Sequence, residues 1–169
     1  MSCSRILGIF FASCSIALVL VSMVTDFWII DYKALAHWGL WHYCSNGECL
    51  DVKAGTVYND ATRAFMILTM SASFISICSS CASFASHDAA KRFGSIGAVV
   101  SSISAVVCLT TAMAVYTGET VRNVNRDLSS FTYGWSFYIG WATFPFLCIT
   151  ALCHFIAFRK LPAAGYQNI

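Results

Sequence analysis

Charged positions are bunched along this chain, and the intervals between the bunches are apolar. No Asp, Glu, Lys or Arg occurs between Arg5 and Asp26, Arg63 and Asp88, Arg92 and Glu119, or Asp127 and Arg159. Each interval is at least as long as the ~20 residues an α-helix needs to cross the hydrocarbon core of a bilayer. The pattern predicts one tetraspan domain over 1–169, with spans near 6–24, 62–86, 93–117 and 132–158. Outer loops at 25–61 and 118–131, an inner turn at 87–92 and a tail at 159–169 connect and follow them. So short an inner turn makes spans two and three antiparallel neighbours.

The first outer loop changes period. Alternation over Phe27–Tyr32, His37–Tyr43 and Glu48–Lys53 predicts strands, hence an open sheet of three or four strands whose free edge can pair with another chain. Asn46-Gly47 lies between Cys44-Ser45 and Glu48-Cys49. Asn-Gly favours a type I′ hairpin turn, because both central residues need positive φ. Ser45 and Glu48 then close the turn, and Cys44 faces Cys49 in the closer, non-hydrogen-bonded kind of cross-strand pair, which suits a disulfide. Two unpaired loop cysteines are the alternative. A cross-link over so short a loop is worth about 2 kcal/mol on the chain-entropy account.

Inside the spans, small residues recur at helical spacing: Gly94, Gly97, Ser101, Ala105, Cys108 and Ala112 on span three, and Ala72, Ser76, Ser79, Ser83 and Ser86 on span two. Small faces let helices approach closely in lipid, so a packed left-handed bundle is preferred to a polar transport path. Pro145 is expected to kink span four. Trp28, Trp135, Tyr133, Tyr138 and Trp141 fit an aromatic belt at the outer interface.

Composition agrees with a membrane protein. Of 169 residues, 58% are hydrophobic and 11% charged, against about a quarter charged in a soluble domain. Mean hydropathy is +0.69. Span one has the length of a signal peptide, but Met23-Val24-Thr25-Asp26 offers no small-x-small cleavage site, so a retained signal anchor is expected. Lys and Arg counts tie between the two sides, and only their density favours cytosolic termini. A disulfide at Cys44–Cys49 decides more firmly, because it requires the first loop to face an oxidising compartment. A net charge of +2 gives no reason to expect a nucleic-acid partner. The remaining cysteines read as small apolar packing groups, and Cys3 and Cys153, near the inner face, are candidates for palmitoylation.

No phosphate-cradling glycine loop, His-Glu-x-x-His or Gly-x-Ser-x-Gly occurs. No catalytic residue, metal ligand set or cofactor is therefore assigned, and an enzyme is not expected. The only candidate for an ionisable group at depth is His154, near the cytosolic end of span four, and a single interfacial histidine is too little for a proton or ion path. His37 and His42 read as solvated or aromatic-packed rather than metal-bound. Asp26, Asp31, Glu48, Asp51 and Asp60 give the loop a mildly acidic face, and a pore would require Asp31 or Asp51 on its path. No Asn-x-Ser/Thr acceptor lies in either outer loop.

The order Trp28, Gly39-Leu40-Trp41, Cys44, Cys49, followed by Thr62-Arg63-Ala64 at the head of span two, resembles the peripheral myelin protein/epithelial membrane protein/lens fibre membrane protein/claudin family. The resemblance covers essentially the whole chain. It implies a left-handed four-helix bundle topped by an outer antiparallel sheet, a Cys44–Cys49 disulfide, and Trp28, Gly39, Leu40 and Trp41 anchoring the sheet at the membrane surface, with Arg63 part of the same motif. Four residues separate the cysteines, fewer than claudins usually show, which argues against a paracellular-sealing member. The runs Thr25-Asp26-Phe27-Trp28 and Trp135-Ser136-Phe137-Tyr138 resemble a cytotoxic-granule member, and Asn59–Leu68 the lens member.

The tail reads Gly165-Tyr166-Gln167-Asn168-Ile169, similar to lysosomal sorting signals. Such a peptide pairs with a sheet edge of a clathrin adaptor while Tyr166 and Ile169 fill separate pockets. From Phe158 to Gly165 the tail can extend about 23 Å, enough for a membrane-bound adaptor to reach Tyr166. The tail and the resemblance together imply a tetraspan of lysosome-related or cytotoxic granules and the plasma membrane that supports granule trafficking and exocytosis through protein contacts. Its expected partners are the bilayer, a clathrin adaptor and, through the outer sheet, a homo-oligomer or a chain on an apposed membrane. An adhesion or junction protein is the alternative.

Overall fold

The computed structural model describes residues 2–32, 34–52, 57–84, 88–127 and 131–161, with the backbone alone at 2, 88, 89 and 123–127. Four long helices carry the chain: α1 (Ser2–Val24), α2 (Val57–Ala82), α3 (Asp88–Asp127) and α4 (Trp135–Arg159). All four are long and apolar enough to cross a bilayer. They form a ring in which α2 packs most extensively on α3 and α1 on α4. Four consecutive antiparallel helices put the start of α1 and the end of α4 at one end of the bundle and the two longer connections at the other.

Those two connections share one antiparallel sheet of β1 (Ile29–Asp31), β2 (Ala36–Trp38), β3 (His42–Ser45), β4 (Glu48–Asp51) and β5 (Phe131–Tyr133), ordered β4-β3-β2-β1-β5. It has five strands, more than the three or four expected, because β5 comes from the second connection and pairs Ile29 with Tyr133 and Asp31 with Phe131. The single strand expected over His37–Tyr43 is two, interrupted at Gly39–Trp41, where the chain turns down into the bundle. The expected loop from residue 118 is helical as far as Asp127. At 1.5 Å per residue α3 is about 60 Å long, roughly twice the hydrocarbon thickness, so its outer turns stand clear of the lipid.

The bundle is apolar outside and hydroxyl-rich inside. Phe10, Phe74, Phe93, Val100, Val107 and Leu152 lie on the outer surface, while Ser15, Thr69, Ser76, Ser80, Thr143 and Thr150 are buried. Lipid is as apolar as Leu, so burying Leu between helices gains little; small side chains gain close packing instead. Several buried hydroxyls satisfy themselves on the carbonyl four residues back, as Thr69 does on Phe65 and Thr150 on Phe146. α4 continues through Pro145 without a break.

Toward the inner end of the bundle the four helices meet at His154. Its Nδ1 lies 3.1 Å from Ser76 Oγ and its Nε2 2.9 Å from Ser80 Oγ, and Ser76 Oγ also donates to the Ala98 carbonyl at 3.2 Å. Gly8 of α1 leaves the room for this ring, since a Cβ there would come within 2.5 Å of the imidazole. Among the small residues of α3, Gly94 and Gly97 face α2. A Cβ on Gly94 would stand 2.7 Å from the Ser79 carbonyl oxygen and 2.8 Å from the Ser83 nitrogen, whereas one on Gly97 would meet the Ser79 hydroxyl at 3.0 Å. Backbone cannot yield as a rotatable hydroxyl does. Gly94→Ala is therefore expected to cost about 1–3 kcal/mol by overpacking, and Gly97→Ala much less, in unfolding measured in detergent. Equal losses would contradict the close α2–α3 approach at Gly94.

Candidate functional site: the outer sheet and its joint to the bundle

The sheet is the only part of the described structure with strand edges to offer a partner. Its β3–β4 hairpin turns at Asn46 and Gly47, with φ of 52° and 86°, the positive pair a type I′ turn needs. Ser45 then pairs with Glu48 and Cys44 with Cys49. The two cysteines are joined in a disulfide with their Cα atoms 4.0 Å apart, the short separation of a non-hydrogen-bonded pair. Every residue of β4 is exposed, so the disulfide fastens an edge strand that has little burial to hold it.

The joint between sheet and bundle is built from the other residues of the sequence motif. Trp28 is fully buried rather than part of an interfacial belt. Its indole Nε1 donates to the Ser22 carbonyl at 2.7 Å, and the rings of Tyr116 and Phe137 pack on it with centroids at 4.6 and 6.1 Å. With its one polar atom satisfied, the indole is free to enter the core. Trp135, Tyr138 and Trp141 remain on the surface, while burial, and then the nearby Tyr138, push the Tyr133 phenol above its ordinary pKa.

Gly39 carries no Cβ because one would strike the backbone of Asp26. That close approach drops Leu40 into the core, fully buried. Arg63 of α2 then holds the turn: its Nε donates to the Leu40 carbonyl at 2.8 Å, and its Nη2 donates to the same oxygen. Nη1 pairs with Asp60 at 2.7 Å, and the guanidinium lies 4.6 Å from the centre of the Trp41 ring. Trp28, Gly39, Leu40, Trp41 and Arg63 thus converge on one junction, and the disulfide lies farther out on the sheet.

Two histidines complete the surface. His37 stacks on Phe27 with centroids 4.4 Å apart and planes 9° from parallel. His42 spans two carboxylates, Nδ1 at 3.1 Å from Asp26 Oδ2 and Nε2 at 3.5 Å from Asp51 Oδ1, tying β3 and β4 to the end of α1. Spacing along the chain gave no signal for this bridge, because its members come from three segments. No group of three or more His, Cys, Asp or Glu suited to a metal occurs among the described residues. Gly165, Tyr166 and Ile169 lie outside the described residues.

Arg63→Lys keeps the charge but loses the two-donor grip on Leu40. It is expected to cost about 1–3 kcal/mol in denaturation followed by the near-ultraviolet signal of the buried indoles. Unchanged stability would leave the joint to Trp28 and Gly39 alone.

Comparison with known proteins matches residues 2–153 to the PMP-22/EMP/MP20/Claudin family. The chain is 30% identical over 156 residues to the lens fiber membrane intrinsic protein of Homo sapiens, covering 90% of each. It is 29% identical over 167 residues to protein NKG7 of Mus musculus, covering 98% of each. Against epithelial membrane protein 1 of Homo sapiens the identity is 26% over 149 residues, covering 86% of this chain and 91% of the relative. With four helices fit to cross a bilayer, an antiparallel sheet over one end and a family match along nearly its whole length, this chain belongs to the PMP-22/EMP/MP20/claudin family of multi-pass membrane proteins.

Proposed function

We propose that the protein is a non-enzymatic tetraspan of lysosome-related or cytotoxic granules that supports granule trafficking and exocytosis through protein contacts. The observation that carries this reading is that α4 ends at Arg159, at the end of the bundle opposite the sheet. α4 leaves the membrane on the side away from the disulfide, and the sequence continues from there to Gly165-Tyr166-Gln167-Asn168-Ile169. A disulfide at Cys44–Cys49 favours an oxidising lumen around the sheet, and this supports a reading in which both termini and the tyrosine signal face the cytosol, where clathrin adaptors work. Relatedness to protein NKG7 along 98% of the chain supports the same reading. The protein would then cycle between the granule and the plasma membrane, with its sheet in the lumen or outside the cell.

Tyr166→Ala in a tagged full-length chain is expected to move most of the protein to the cell surface, by surface biotinylation and imaging against a lysosomal marker. Unchanged lysosomal residence would sink the sorting role.

The exposed edge strand β4 favours a second reading, adhesion through the sheet across apposed membranes, in keeping with the lens relative. On that reading, cells that lack junctions should aggregate when they express the chain. The Cys44→Ser/Cys49→Ser double variant should then lose most of the aggregation, while dispersed cells at matched surface expression would rule adhesion out.

A further inference from the structure

The end of the bundle opposite the sheet carries a buried arginine with one edge of its guanidinium unpaired. Arg5, near the start of α1, is only 8% exposed. Its Nη1 donates to the Ser83 carbonyl at 2.9 Å, where it caps the C-terminal end of α2 and meets that end's partial negative charge. The other two donors, Nε and Nη2, are buried and have no partner. They form one edge of the guanidinium, with two parallel N–H bonds spaced to match two oxygens of a phosphate or carboxylate. Arg63, at the opposite end, uses the same edge on the Leu40 carbonyl. In Arg5 that edge is idle.

Leaving a buried guanidinium with two unmet donors is costly, and the surroundings favour an anion rather than a protein acceptor. The charged side chains described at this end are Arg5, Lys91, Arg92, Arg159 and Lys160, all basic; Asp88, at the start of α3, is the one acidic residue the sequence places among them. The Oγ of Ser95, the residue after Gly94 on α3, is likewise buried and without a partner, and Gly94 itself packs on the Ser83 backbone. The ring against the guanidinium is that of Phe84, with its centroid 5.6 Å from Cζ. It is 48% exposed, so this cover is a side chain able to change rotamer.

We propose that the Arg5 Nε/Nη2 edge, between α1 and the end of α2, is a binding site for a phosphate oxyanion, supplied by the headgroup of an anionic phospholipid. Arg5 stands at the first turn of span one, at headgroup depth, where basic sites between helices meet lipid phosphates. Only the choice of leaflet rests on the orientation argued above. The site itself does not, and a test in detergent leaves the sorting role untouched.

The purified full-length chain in a neutral detergent is titrated with dioctanoyl phosphatidylglycerol, with dioctanoylglycerol and with inorganic phosphate. The readouts are the thermal unfolding midpoint and lipid adducts in native mass spectrometry. Phosphatidylglycerol should raise the midpoint saturably and leave one retained lipid, and dioctanoylglycerol should do neither. Arg5→Lys, which keeps the charge and a cap on Ser83, should bind about tenfold more weakly for want of the two-donor edge. Arg5→Gln should not respond, and Lys160→Gln should respond as the parent does. An equal response to inorganic phosphate would support the oxyanion site but assign its ligand to the aqueous phase. The proposal is overturned if neither phosphate source shifts the parent chain, or if Arg5→Lys titrates like it. The parent and Arg5→Lys arms decide even if Arg5→Gln does not fold.

Discussion

The sheet stays on the bundle because one carbonyl, that of Leu40, is gripped from below by two donors of Arg63. Everything outward of that point inherits its position from it. Leu40 is in the core because Gly39 lets the backbone come down onto Asp26; Trp41 lies beneath the guanidinium; and β3 starts immediately afterwards. Charge-assisted hydrogen bonds are the stronger kind, and this one is partly shielded from water, where its electrostatics gain most. The bundle below has no comparable hydrophobic drive between its helices. Its cohesion comes from small-residue contact, from hydroxyls turned onto their own helices, and from the imidazole of His154 bonded to two serines.

These two halves obey different solvents. Outside the membrane the sheet uses aromatic stacking, a disulfide and ion pairs, which hold their geometry in water. Inside it, many large apolar side chains face the lipid, and the interior is shared by hydroxyl-bearing residues with Met66, Leu109, Met113 and Leu147. Trp28 sits at the seam and belongs to both: its ring is packed by Tyr116 and Phe137 of the helices, and its position is set by the strand it precedes.

What the sequence disclosed follows the same division. Charge-free runs disclosed the four helices, because the bilayer imposes a length and a polarity that no other environment does. Asn46-Gly47 between cysteines disclosed the hairpin and its bond, because the turn fixes the register locally. Hydropathy did not disclose that α3 continues to Asp127, since Gly118-Glu119-Thr120-Val121-Arg122 is polar and a helix in water leaves no apolar run. β5 escaped because three residues carry too little alternation and its partner lies far upstream. Trp28 looked interfacial because the partner of its indole, the Ser22 carbonyl, is visible only once the chain doubles back. The links of His154 to Ser76 and Ser80 needed the relative rotation of two helices, which no single-helix periodicity contains.

The pairing of β1 with β5 has a consequence for biogenesis. Ile30 and Thr132, neighbours in the sheet, are separated by 102 positions in the chain, and Ser22 Oγ of α1 donates to the Ser136 carbonyl at the head of α4. The first loop therefore emerges from the membrane with one strand edge open and the sheet-side end of its helix unpartnered. At usual elongation rates that state lasts on the order of 5–20 s while the intervening chain is made. The β3–β4 hairpin needs no later residue and can cross-link during that interval. The sheet closes only when the last span has been inserted, so complete topology is a precondition of a closed sheet, and a chain stalled short of α4 displays an unfinished strand edge.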